Sequence, residues 1–211
     1  MAPVVVDPKR IREFASEQAF EAWLAKHHDK EPELWIRIYK KASGIASVTP
    51  AQAIDVVLCW GWIDGQRKGL DGVSFLQRFT PRRAKSLWSD INRENVARLI
   101  QAKRMTPHGL RHVEAAKADG RWAAAYKGQR TMTVPEDLLR AIEADKKALA
   151  MLEKLDKANL WAMSFRIGNL RTAAGREKKI KDYVQMLRRG ETLHPLKPPA
   201  KKATRRATRS T

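Results

Sequence analysis

Residues 33–41, ELWIRIYKK, constrain the fold more than any other part of the chain. In an extended backbone, the aliphatic side chains at 34, 36 and 38 fall on one side, and the side chains at 35, 37 and 39 fall on the other. This alternation is typical of a β-strand and differs from the spacing of a helix face. The chain is therefore expected to contain a sheet.

A hairpin is predicted further along the chain. The segments WIDGQRK and VSFLQRFT flank Gly69-Leu70-Asp71-Gly72, and both glycines accept the positive φ angles of a tight turn. Two antiparallel strands are the expected result. Together with residues 33–41, they predict a three-stranded sheet with helices on one face.

Capping residues mark the predicted helix starts. Ser16 precedes a stripe that contains Phe20 and Leu24. Thr-Pro pairs at 49–50, 80–81 and 106–107 place a capping threonine before a proline at the first helical position. From Pro135 onward, apolar residues recur only at helical spacing. The predicted fold class is α+β, with N-terminal helices and a small antiparallel sheet followed by a small helical bundle.

The chain is expected to have three parts. Residues 1–128 form the α+β module, residues 129–195 form a helical domain, and residues 196–211 form a disordered basic tail. The net charge is +19, of which the tail, with six cations and no acid, contributes +6 and the remainder +13. We predict that the tail binds nucleic acid or another polyanion. Its cations are Lys197, Lys201, Lys202, Arg205, Arg206 and Arg209.

The expected location is the cytoplasm. Cys59 is the only cysteine, so an intramolecular disulfide cannot form and a reducing compartment fits. The N-terminal residues lack the pattern of a secretory signal. The most apolar run, VVLCWGWI at 56–63, is far shorter than the ~20 residues that span a bilayer. No transmembrane segment is predicted.

The stretch LQRFTPRRAKSLWS, residues 76–89, places cations among aromatic side chains and serines. If Thr80-Pro81 starts a short helix, its free backbone N–H groups and the arginines together form a site for a small anionic ligand. The alternative is a solvated turn whose arginines pair with carboxylates, which is the commoner fate of a charge cluster. This anion-binding candidate comprises Arg78, Arg82, Arg83, Lys85, Ser86, Trp88 and Ser89.

A second candidate is a pocket that contains Trp62, Asp64 and Lys68. A carboxylate held among aromatic rings acquires a raised pKa and is able to transfer protons. A salt bridge from Asp64 to a nearby arginine is the more ordinary arrangement, since one carboxylate without a partner base is weak evidence for catalysis.

The other reactive side chains predict neither a cofactor nor a catalytic centre. His108 and His112 stand four residues apart on a predicted helix, but the sequence offers no further cluster of ligands to complete a metal site. Cys59 lies within an apolar run and is expected in the core. The sequence also lacks a nucleotide-binding glycine motif and a nucleophile elbow.

Several segments carry a family resemblance. CWGWIDGQRKGLDG, LQRFTPRRAKSLWSDIN, RMTPHGLRHVEAAKADGRW, VPEDLLRAIEAD and YVQMLRRGETLHP occur in consistent order between about Phe20 and Pro195. Together they resemble the YdeI/OmpD-associated family, also called the bacteriocin-protection family. The helical part resembles the family's named domain, with Gly175 where a threonine is expected. The resemblance implies a role in stress protection and in tolerance of bacteriocins or antimicrobial peptides.

These observations favour a non-enzymatic, cytoplasmic stress-protection protein that acts through its cationic surface. Two alternatives stay open. The first is a nucleic-acid-associated protein that binds through its tail and basic surface. The second is an enzyme that acts on a small anionic metabolite at the corner formed by residues 78–89.

Overall fold

The structure is a computed structural model that describes residues 5–128 and 131–196. The chain divides between Tyr126 and Lys127 into two compact units. We call the N-terminal one the sheet unit and the C-terminal one the helical unit. The sheet unit combines helices with a sheet, and the helical unit is built from helices, so the predicted α+β fold class is confirmed.

The sheet of the N-terminal unit has four strands in the order β1-β2-β4-β3. They are β1 (Ile11–Arg12), β2 (Leu34–Tyr39), β3 (Trp62–Gly69) and β4 (Ser74–Pro81). β4 pairs antiparallel with both β2 and β3, and β1 pairs parallel with β2. The prediction of three strands was wrong, because two-residue β1 is too short to produce an alternating pattern and forms only by pairing with β2.

The predicted hairpin is confirmed, but its turn works differently from the expectation. Neither Gly69 nor Gly72 has a positive φ angle. Instead, the Asp71 carboxylate oxygen Oδ1 accepts hydrogen bonds from the backbone N–H of Val73 at 2.9 Å and from that of Ser74 at 2.6 Å. The hydrogen bonds from its own turn to the Asp71 side chain stabilise the turn, and positive φ angles at the two glycines are not required.

Four helices complete the sheet unit: α1 (Glu17–His27), α2 (Pro50–Cys59), α3 (Asp90–Gln101) and α4 (Pro107–Ala118). Ser16, Thr49 and Thr106 cap α1, α2 and α4 as predicted, each accepting a hydrogen bond from a backbone N–H three residues on. One apolar core lies between the sheet and α1 and α2, and includes Phe20, Ile36 and Phe79. Another surrounds Leu58, Trp88 and Val113.

The helix start that was predicted at Thr80-Pro81 is wrong. Thr80 and Pro81 are the last residues of β4, where they pair with Ile63 and Trp62 of β3. Pro81 is tolerated there because the pairing of β4 with β2 already ends at Phe79, so its missing N–H removes no hydrogen bond on that side. Residues 82–88 then continue as an irregular segment before Ser89 caps α3.

The helical unit contains α5 (Glu136–Glu143), α6 (Lys146–Leu152), α7 (Lys157–Gly168) and α8 (Ala173–Arg188). Asp145, Asp156 and Thr172 cap the last three of these helices. Leucine, isoleucine and methionine side chains from all four helices form its core, with Tyr183. Among the described residues, none of the helices has the length and apolar character needed to cross a membrane.

Candidate functional site

The cations of residues 76–89 point to different surroundings. Arg78 donates to the Glu33 carboxylate at 2.7 Å from Nε. Arg83 and Lys85 are exposed to solvent, and the Arg83 backbone N–H donates to the Ser86 hydroxyl at 3.0 Å. These side chains therefore differ in their surroundings, and anion binding by them stays a prediction.

Arg82 is the exception among these cations, because only 6% of its surface is exposed. Its guanidinium carbon lies 3.5 Å from the centroid of the buried Trp88 ring, a close cation–π stack. Nη1 donates to the Leu87 carbonyl oxygen at 3.2 Å. Within the described part of the chain, Nε and Nη2 of this guanidinium have no hydrogen-bond acceptor. Burial lowers the pKa of Arg82 to about 10.

Asp64 is the carboxylate whose charge acts on Arg82. Partial loss of hydration raises the pKa of Asp64, although a backbone hydrogen bond and the charges of Arg82 and Arg67 favour its charged form and reduce the rise. Asp64 nevertheless keeps an exposed surface. Arg82 is therefore an enclosed cation, whereas Asp64 remains in contact with solvent.

The three residues of the second candidate pocket do not form one site. Trp62 is buried at the start of β3, where its indole N–H donates to the His28 carbonyl oxygen at 3.0 Å. Lys68 is exposed near the other end of the same strand. The two residues are six positions apart along an extended strand, which separates them by roughly 20 Å. Trp62 is a core residue, and Asp64 is the member of this set whose charge interacts with Arg82.

The two histidines of α4 pack against the residues that follow α2. The His108 ring stacks on Trp60 with 5.6 Å between centroids and lies 4.1 Å from the His28 ring. Burial lowers the pKa of His112, and Arg111, Arg82 and Arg121 lower it further. In residues 5–128 and 131–196, groups of three or more side chains able to hold a metal ion do not occur.

Two glycines allow α4 to approach α2 closely. A Cβ atom on Gly109 would lie 2.3 Å from the Cys59 carbonyl oxygen, and one on Gly61 would lie 2.6 Å from the His112 ring. Gly61 also has φ +74, a conformation that favours glycine. Cys59 is buried at this contact, and burial raises the pKa of its thiol to about 11. The thiol is therefore protonated at neutral pH and has the core role predicted for it.

A groove in the helical unit was not predicted from the sequence. It has a volume of about 460 Å³ and lies between α5 and α8. Its lining residues are Asp137, Ala141, Ala173, Arg176, Glu177, Ile180 and Lys181. The acidic first turn of α5 is readable in the sequence, but the contact of Asp137 with Arg176, 39 residues later, is not.

An ion pair joins the two helices at this groove. Arg176 donates from Nε to Asp137 Oδ2 at 2.6 Å and from Nη2 to Asp137 Oδ1 at 2.8 Å, while Nη1 donates to the Ile167 carbonyl oxygen at 3.3 Å. This bidentate geometry is the strong form of an arginine–carboxylate contact. The Arg176 guanidinium lowers the pKa of Asp137.

Gly175, where the resemblance led us to expect threonine, supports the start of α8. Its backbone N–H donates to the Thr172 hydroxyl at 3.1 Å, and a Cβ atom there would lie 2.8 Å from the same oxygen. Gly175 therefore leaves room for the capping hydroxyl. The six tail cations, Lys197, Lys201, Lys202, Arg205, Arg206 and Arg209, lie outside the described residues.

In a comparison with known proteins, the two units match different family models. Residues 131–190 match the family described as Bacteriocin-protection, YdeI or OmpD-Associated. Residues 12–112 match a family described as a domain of unknown function, DUF8412. No curated protein and no solved structure gives a significant match. The resemblance is thus confirmed in the helical unit, whereas its first two segments fall within the other family's range.

Proposed function

We propose that this chain, which belongs to the bacteriocin-protection, YdeI or OmpD-associated family through residues 131–190, protects its cell against bacteriocins or related antimicrobial peptides. The observation that carries the proposal is the family match over α5 to α8. We further propose that protection depends on binding and takes place in the cytoplasm.

The groove between α5 and α8 is the surface that we assign to this binding. It offers the apolar side chains of Ala141 and Ile180, and the Arg176–Asp137 pair fixes the two helices on either side of it. A volume of about 460 Å³ accommodates several side chains of a bound segment. The assignment rests on the groove being a concave surface in the unit that carries the family match.

Survival of a deletion strain tests the protective function. Cells that lack the gene are challenged with bacteriocins and cationic peptides, and are complemented with the wild-type chain. Complementation is expected to restore survival. Equal survival of the deleted and complemented strains under every challenge would remove the proposal.

A matched pair of tryptophan variants tests the groove. Ala173 and Ala174 are neighbouring exposed residues at the start of α8, but only Ala173 lines the groove. Ala173→Trp is expected to fill the groove and abolish complementation, whereas Ala174→Trp is expected to leave it intact. Circular dichroism confirms that both variants fold. Full complementation by Ala173→Trp would exclude the groove while leaving the protective function in place.

The tail charge of +6 supports a second candidate function, which is association with nucleic acid. Gel-shift titrations over a range of salt concentrations compare the full chain with a chain that ends at Pro195. Tail-dependent binding should weaken steeply with salt, because each neutralised phosphate releases counterions. If the full chain binds neither DNA nor RNA at low salt, this candidate is excluded.

A further inference from the structure

One end of the sheet carries exposed aliphatic side chains on two neighbouring loops. The hairpin between β3 and β4 presents Leu70 and Val73, which are 47% and 45% exposed. The loop after β2 presents Ile45, which is 51% exposed. The Lys40 backbone N–H donates to the Val73 carbonyl oxygen at 2.8 Å, so the two loops are joined at this end. We call this surface the sheet tip.

Cations surround the sheet tip. Lys40 and Lys41 begin the loop after β2, and Arg67 and Lys68 precede the hairpin turn; all four are exposed. The Lys40 ammonium donates to the Gly72 carbonyl oxygen at 2.8 Å, which holds this cation on the hairpin. The positive charge therefore lies beside the aliphatic residues.

The two carboxylates at this end are already engaged. Asp71 accepts hydrogen bonds from Ser74 and Val73 and from Arg37 at 2.8 Å, and these bonds lower its pKa to about 2. Glu13 accepts from Arg37 at 3.1 Å and from the Tyr39 hydroxyl at 3.0 Å. Because both carboxylates face protein donors, the sheet tip presents mainly cations and aliphatic groups to a partner.

We propose that the sheet tip docks on an anionic lipid bilayer. Aliphatic side chains enter the boundary between headgroups and acyl chains, while lysine and arginine remain among the anionic headgroups. Nucleic acid fits this surface less well, because bases stack on the faces of aromatic rings and the Arg37 guanidinium lies over the Tyr39 ring, 4.7 Å from its centroid. A protein partner is less favoured because a stable interface centres on an apolar core with a polar rim, whereas here three aliphatic side chains lie beside several cations.

Vesicle partitioning of the full chain tests the proposal. The double variant Leu70→Ser/Val73→Ser keeps every charge, so the contribution of the tail to vesicle binding stays constant. On phosphatidylcholine vesicles that contain phosphatidylglycerol, this variant is expected to bind about tenfold more weakly than the wild type. The matched control is Ile91→Ser/Ile100→Ser on α3, whose residues are 54% and 44% exposed and lie away from the sheet tip. The control should bind as the wild type does.

Charge variants provide the second arm. Lys40→Gln/Lys41→Gln should weaken binding to the anionic vesicles at least fivefold more than Lys26→Gln/Lys30→Gln, an equal loss of exposed charge elsewhere in the sheet unit. Vesicles of phosphatidylcholine alone should bind all the variants weakly. The proposal is overturned if Leu70→Ser/Val73→Ser binds anionic vesicles as strongly as its control. It is equally overturned if the affinity responds only to removal of the tail cations, since the tail then accounts for all of it.

Discussion

Two arginines, one in each unit, are stabilised by different interactions. Arg82 in the sheet unit is almost fully buried, stacks on Trp88 and makes one hydrogen bond to a carbonyl oxygen. Arg176 in the helical unit keeps about a third of its side chain exposed and forms a bidentate ion pair with Asp137. Burial lowers the pKa of Arg82, whereas pairing raises the pKa of Arg176.

The extent to which a charge is buried does not determine how much it contributes to stability. A buried cation with few polar partners loses hydration, and stacking on an aromatic ring returns only part of that loss. A partly exposed ion pair contributes little to stability by itself, but this one joins two helices that are far apart in sequence. The contribution of Arg82 to the free energy of unfolding is therefore expected to come mainly from packing, and that of Arg176 mainly from its charge.

The largest expected effect is the loss of the ring beneath Arg82. Trp88→Ala should lower the free energy of unfolding of the sheet unit by about 3–5 kcal/mol, because it removes a buried ring and leaves a cavity under a buried charge. Calorimetric unfolding measures the change. Leu87→Ala, at the exposed neighbouring residue, serves as the control and should cost less than about 1 kcal/mol. Equal costs would show that Trp88 does not support this corner.

A smaller effect is expected when the charge of Arg176 is removed. Arg176→Met should lower the free energy of unfolding of the helical unit by about 0.5–1 kcal/mol at neutral pH. Because the folded pKa of Asp137 is lowered, the contribution of the pair is present above the ordinary aspartate pKa of about 3.9 and is lost as the pH falls through the folded pKa. The variant should therefore lose less stability than the wild type on acidification.

The control for this prediction is Lys178→Met. Lys178 pairs with Asp182 within α8, but its side chain is 78% exposed. Its replacement should leave both the stability and its dependence on pH nearly unchanged. If the two variants behave alike in unfolding titrations between neutral and acid pH, the Arg176–Asp137 pair has no special role in joining α5 and α8.

The smallest effect is expected for the more buried arginine. Arg82→Met retains most of the contact with Trp88 and removes a poorly solvated charge, so it should change the free energy of unfolding by less than about 0.5 kcal/mol. Arg82→Ala, which also loses the packing, should cost more. Any loss of stability in Arg82→Met should become smaller as Asp64 becomes protonated, because the cation does not stabilise a neutral carboxyl group by charge attraction. A cost above that of Arg176→Met would contradict the comparison.

Much of the fold could be predicted from local patterns. Ser16, Thr49 and Thr106 cap helices because capping involves a backbone group only three residues away. The strand at residues 34–39 follows from alternation, although Trp35 is buried as well as the aliphatic residues. Thr80-Pro81 shows the limit of such patterns, since pairing with β3 keeps this segment extended.

The candidate sites were less predictable. The cluster of cations at residues 78–85 is visible in the sequence, but its division into the Arg78–Glu33 pair, the buried Arg82 and the exposed Arg83 and Lys85 is not. The groove of the helical unit depends on Arg176 meeting Asp137, a contact across 39 residues. Such contacts between distant residues produce no periodic pattern in the sequence.

Local sequence patterns were sufficient to predict most of the helix starts, the main strands, the α+β class and the family resemblance of the helical unit, because each depends on the order of residues close together in the chain. Three features follow from packing alone: β1 joins the sheet, Arg82 is enclosed over Trp88, and Arg176 links α5 to α8. These outcomes depend on which distant side chains exclude water from one another. Desolvation and pairing are properties of the packed molecule, not of any segment taken alone.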